Sequence, residues 1–168
     1  MSTPINHYTD VLKNEVIVFN PGEGEILEIA GNKITLKVTS EISNNQMGVY
    51  EILLQPGTVG AQLHYHRYMD ETFIVNKGTL TVQLADKTVD AVEGSVVYIP
   101  RFTPHAFRNS SDSVVVTTLI FNPGQNREGF FFGLKEILTE HPIDPSKFLK
   151  LYDKYDSVSV NPENVLPG

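Results

Sequence analysis

The stretch HYHRYMDE, His64 to Glu71, places two of the chain's five histidines one residue apart and a carboxylate shortly after them. Alternate side chains of a β-strand share a face, so a strand over residues 62–66 points His64 and His66 the same way. Paired imidazoles of this kind are an arrangement that a transition metal rewards. Glu71 opens the next strand candidate, ETFIVN, after the short turn RYMD. If that strand lies antiparallel beside the His strand, Glu71 faces the same interior. A fourth candidate, His105, stands in PRFTPHAFRN at the start of another strand, with Phe107 two residues on. Three imidazoles and a carboxylate suit Mn, Fe, Co, Ni, Cu or Zn and are poor ligands for Mg or Ca. An octahedral ion held by those four keeps two positions open for water, dioxygen or substrate. His7 and His141 lie outside the pattern and read as surface or satisfied core histidines.

Around this stretch the sequence is a run of short strand candidates: EILEIAG, KITLKVTS, GVYEILL, ETFIVN, TLTVQLA, SVVYIP and SVVVTTLIFN. They are rich in β-branched and aromatic residues, and turn signals such as Pro56-Gly57, Lys77-Gly78 and Glu93-Gly94 divide them. Many short strands at close spacing predict a sandwich or barrel, here over residues 15–121. After Asn122-Pro123-Gly124 the period changes. REGFFFGLKEILTEH carries Phe130, Phe131, Leu134, Ile137 and Leu138 at helical spacing, and DPSKFLKLYDKY offers Asp144 as N-cap with Pro145 behind it. Two helices, 129–141 and 145–155, are expected on the outside of the barrel. Some 45 residues are too few for a second core, so residues 1–168 read as one domain. The Phe130, Phe131, Phe132 cluster either packs the helix on the barrel or covers its mouth. The end, NPENVLPG, reads as a loose or docked tail.

Composition excludes several functions. The chain has 168 residues and no cysteine, so disulfides and thiolate metal sites are out. Its formal net charge of −7 argues against nucleic acid or an anionic membrane as the main partner. Neither a signal peptide nor a membrane span is visible, and the expected location is the cytoplasm.

At the level of motifs the chain resembles a cupin. The first cupin motif is matched by Gly57, His64, His66, Glu71 and Gly78, the second by Gly94, Pro100, His105 and Asn109. Gly57 is displaced by one residue from the family's opening glycine, and Phe102 stands where the family usually has glycine. The resemblance implies a double-stranded β-helix, or jelly-roll barrel. It implies one divalent transition metal on His64, His66, Glu71 and His105, and a homodimer paired through sheet edges. Gly78 and Gly94 read as turn formers, and Asn109 as a residue that bonds backbone.

Residues sharing the inward parity are candidates for the cavity wall: Gln62 with the histidines, Phe73 with Glu71, Phe107 with His105, and Tyr50 and Tyr98 from neighbouring strands. Arg67, Arg101 and Arg108 alternate with inward positions and are expected outside, which leaves a phosphate pocket unsupported. The HYHRYMDETFIVNKG core, the second motif and the passage NPG…GFFFGLKEI resemble single-domain cupins akin to quercetin dioxygenase. That likeness implies a dioxygenase acting on a small enolisable substrate, flavonol- or diketone-like, with Glu71 as ligand and proton acceptor. A sugar or sugar-phosphate isomerase, and a non-catalytic binding module, are the alternatives.

Overall fold

A computed structural model describes residues 15–161. Among them, ten strands precede two helices: β1 Glu25–Ile29, β2 Asn32–Val38, β3 Gly48–Leu54, β4 Val59–Tyr65, β5 Asp70–Lys77, β6 Thr79–Leu84, β7 Thr88–Val92, β8 Val96–Ile99, β9 His105–Arg108 and β10 Val115–Asn122. Helices α1 Arg127–Thr139 and α2 Pro145–Lys154 follow, then a short strand, β11 Val158–Ser159. The strands form two antiparallel sheets, ordered β1-β2-β3-β10-β5-β8 and β11-β4-β9-β6-β7. No helix among the described residues is long and apolar enough to cross a membrane.

The central strands explain the packing. In β3 the residues Gly48, Tyr50, Ile52 and Leu54 are buried, in β10 Val115, Thr117, Leu119 and Phe121, and in β5 Glu71, Phe73 and Val75. These strands pair side by side, so their period-2 pattern makes one inner face of the core. Glu71 is the first inward residue of its strand and lies across from Phe121 on β10.

Two expectations about neighbours change. The Glu71 strand does not pair with the His strand: β5 pairs with β10 and β8, while β4 pairs with β9 and β11. Glu71 therefore approaches the histidines from the opposite sheet, across the interior. Nor do the helices sit wholly outside. Phe130, Phe131, Phe148 and Tyr152 are buried and line an interior cavity together with strand residues. Asp144 does cap α2, its side chain accepting from the Ser146 N–H at 2.9 Å, with Pro145 at the first turn. His7 and the tail from residue 162 lie outside the described residues.

Gly78 and Gly94 have φ of +80° and +87°, a region where glycine is at no steric disadvantage. Phe102, which replaces the family's glycine, is held at φ +64°. Asn109 bonds backbone as expected, its Nδ2 donating to the Leu54 and Ser113 carbonyls at 3.1 and 2.7 Å.

Candidate metal centre

His64, at the end of β4, lies across from His105, the first residue of β9. His66 follows just after β4, and Glu71 comes from the facing sheet. All four are buried, and one ligand atom from each lies within 4.8 Å of the others. They could hold one metal ion.

The hydrogen bonds around the rings show why a cation fits there. His64 Nδ1 donates to the Gln62 carbonyl at 2.7 Å, His66 Nδ1 to the Asp156 carbonyl at 2.5 Å, and His105 Nδ1 to the Thr103 carbonyl at 2.9 Å. A neutral imidazole has one N–H, so each ring turns a bare Nε2 lone pair inward. Glu71 Oε2 lies 2.6 Å from His105 Nε2 and 3.1 Å from His66 Nε2. An ionised carboxylate only accepts, so lone pairs would oppose each other at those distances unless a cation stands between them.

In the absence of a metal, a proton takes that part. Burial by itself lowers the His105 pKa, but the charge of Glu71 and its hydrogen bond outweigh burial and raise it. Burial pushes Glu71 up, yet the charge and hydrogen bonds of His105 and His66 hold it well below the usual carboxylate range. His64 is pushed well below the ordinary histidine value by burial and by the neighbouring imidazoles. Three neutral-imidazole nitrogens and a carboxylate form a donor set for a divalent transition metal.

Beside the cluster lies a cavity of about 70 Å³ that reaches His64 and Glu71. Of the five wall residues expected from parity, Gln62 and Phe107 line it. Phe73 does not; it packs behind Phe107, with ring centroids 4.9 Å apart. Tyr50 does not either. Its ring packs edge-on against Phe131, and its hydroxyl donates to Glu128 Oε2 at 2.6 Å, which with burial pushes its pKa far up. Tyr98 is a plain correction: it is 61% exposed on the outer face of β8. The inward parity of β8 falls on Val97 and Ile99 instead.

Sequence reasoning missed three participants, all from the C-terminal segment. Arg127 and Tyr152 line the cavity, and burial pushes the Tyr152 hydroxyl up to about 12. Asp156 holds the loop after the histidines: its carboxylate accepts from the Arg67 N–H at 3.0 Å and the Tyr68 N–H at 2.8 Å. The helical period did flag this segment, but nothing in it says which residues reach the barrel.

The sequence from Tyr50 in β3 to Phe121 in β10 coincides with a family described as Cupin domain. That match spans residues 50–121. No curated protein matches the chain. Among solved structures, a cupin-like protein of Thermotoga maritima is 25% identical, with a TM-score of 0.50 over 55% of this chain and 68% of that one. A predicted oxalate decarboxylase of the same organism is 16% identical, with a TM-score of 0.56 over 64% of this chain and 99% of that one. A sugar phosphate isomerase of Silicibacter pomeroyi is 23% identical, with a TM-score of 0.50 over 56% and 60%. These neighbours share the cupin fold and differ in chemistry, so the fold by itself names no reaction.

Proposed function

We propose that this cupin is a metal-dependent dioxygenase acting on a small enolisable substrate. One observation carries the reading: two of the four candidate ligands, His64 and Glu71, open into a cavity whose wall is largely apolar, aliphatic and aromatic side chains together. The metal, when bound, supplies a Lewis acid and a path for electrons. The chain supplies the rest. Glu71, on the cavity wall and ionised well below neutral pH, takes the proton that an enolisable carbon or hydroxyl gives up. Phe107, Phe121, Phe130 and Phe131 exclude water and offer flat apolar surface. The cavity, about 70 Å³, is under half the ~150 Å³ of an engineered apolar cavity that takes benzene. That favours the diketone end of the expected substrate range over a flavonol. The apolar wall also fits a diketone better than a polyol.

The test is oxygen uptake by protein loaded in turn with Fe, Mn, Ni and Cu, over a panel of diketones, oxo acids and flavonols, with anaerobic controls. Uptake with a small diketone or oxo acid supports the reading. No uptake with any metal, together with interconversion of sugar or sugar-phosphate isomers, replaces it with an isomerase.

A homodimer belongs to the same proposal. Val92, Val96 and Tyr98 are exposed on β7 and β8, the terminal strands of the two sheets, and such edges invite pairing with a second copy. Sedimentation of a monomer at micromolar concentration would remove this part.

A further inference from the structure

The parity reading left arginine out of the cavity, and the structure puts one in it. Arg127, the first residue of α1, is 5% exposed and lines the same cavity as His64 and Glu71. Its guanidinium stands over the Phe130 ring at 3.8 Å and the Phe121 ring at 5.0 Å. Nη1 donates to the Tyr155 carbonyl at 3.2 Å and to Ser157 Oγ at 2.9 Å. Nε is buried and has no hydrogen-bond partner among the described residues. The nearby carboxylates are engaged elsewhere. Glu128 accepts from the Ser40 N–H and the Tyr50 hydroxyl, and Asp156 from the Arg67 and Tyr68 N–H groups.

Charge then decides what the cavity lacks. A guanidinium stays protonated in a protein. Its positive charge and the negative charge of Glu71 cancel, and burial pulls against the Arg127 charge while Glu71 supports it. A divalent ion on the four-ligand cluster would leave a net charge of +2 beside a largely apolar cavity. Buried charge of that kind calls for a counter-ion with hydrogen-bonding oxygens. Arginine suits an oxyanion, and the small volume favours a planar carboxylate over a phosphate, whose additional oxygens would need further donors.

We propose that Arg127 is a substrate-binding residue that takes the carboxylate of a small 2-oxo or 3-oxo acid, with the acid's carbonyl end turned toward His64 and Glu71. This rests on the enolisable-substrate reading above and narrows it to an anion.

The test is binding, not turnover. Zn²⁺-loaded protein has no redox chemistry of its own. Its affinity is measured by calorimetry for pyruvate and for butane-2,3-dione, a neutral molecule of nearly the same shape. The wild-type protein should bind pyruvate at least 10-fold more tightly. Arg127→Met should abolish that preference while keeping one zinc per chain, and Arg127→Lys should restore part of it. Equal affinity for the two ligands, binding of neither, or an undiminished preference in Arg127→Met overturns the proposal. Should Arg127→Met fail to fold, the wild-type ratio decides alone. Oxygen uptake is not read, so a preference for pyruvate without any dioxygenase activity would uphold this site and refute the reaction. Uptake with neutral diketones and no preference for pyruvate would do the reverse.

Discussion

The site has two halves that are held in different ways. Its barrel half, His64, His66, Glu71 and His105, stands on or just beyond strands whose pairing fixes which way each side chain points. Its C-terminal half, Arg127, Tyr152 and Asp156, arrives from α1 through the turn before β11, and depends on helix packing and on β11 pairing with β4. The difference separates two kinds of chemistry. The ion position belongs to the barrel. The cavity beside it is walled by both halves, and the helices bring to it Arg127, Phe130, Phe131, Phe148 and Tyr152.

Removing an aromatic ring from the helical half should give the largest effect and leave the barrel half standing. Phe130 is buried against Phe131, Tyr152 and the Arg127 guanidinium. Phe130→Ala should lower stability by about 3–5 kcal/mol by denaturant unfolding, the usual cost of emptying an aromatic site. Metal stoichiometry, read by elemental analysis, should stay at one per chain. Loss of the metal would show that the two halves are not separable.

Asp156 is where the halves join. It accepts from two backbone N–H groups of the loop after the histidines, its own carbonyl receives His66 Nδ1–H, and its φ is +57°. Asp156→Ala strands those N–H groups and places alanine in a left-handed conformation. A loss of about 1–3 kcal/mol is expected, with metal affinity falling about 10-fold as His66 loosens. Unchanged affinity in a zinc competition titration would mean that the barrel alone orients His66.

The pH dependence follows from the shared proton. His105 is raised in the metal-free protein, so its proton stabilises the fold below the ordinary histidine value and that contribution is lost as pH rises through the raised one. An incoming ion must displace the same proton. Metal affinity should therefore fall by up to about 10-fold per pH unit below the raised His105 value and level off above it. Titration of Zn²⁺ or Co²⁺ affinity between pH 6 and 9 checks this; a flat profile would place the proton elsewhere.

The smallest effect is expected at Phe102, 64% exposed and in a left-handed conformation. Phe102→Gly removes backbone strain while adding freedom to the unfolded chain, for a net gain of about 1 kcal/mol or less. A loss of stability would mean that its ring contact with Tyr65 outweighs the strain.

The same contrast explains what could be read from the amino-acid sequence. The ligand set was legible because His64 and His66 need only local alternation, and Glu71 and His105 stand beside turns that glycine and proline announce. Phe102 was legible as a misfit because the resembled motif has glycine at its position, and its φ is +64°. Sheet partners were not, because ETFIVN carries no mark of whether it pairs with the His strand or crosses to the other sheet. Regular alternation also failed within β4. An extra residue between Ala61 and His64, relative to Phe107 and His105 on β9, brings both Ala61 and His64 to the cavity. Arg127 was hidden for a further reason. A charged residue at the start of an amphipathic helix ordinarily faces solvent, and only docking of α1 over the barrel buries it.

X-ray absorption at the metal edge of Co²⁺-loaded protein tests the central claim most directly. One ion held by His64, His66, Glu71 and His105 should show about three imidazole nitrogens near 2.0–2.2 Å and one carboxylate oxygen, with His105→Ala losing one imidazole or the ion altogether. A spectrum dominated by water and carboxylate oxygens, unchanged in His105→Ala, would place the metal outside the barrel and contradict the account.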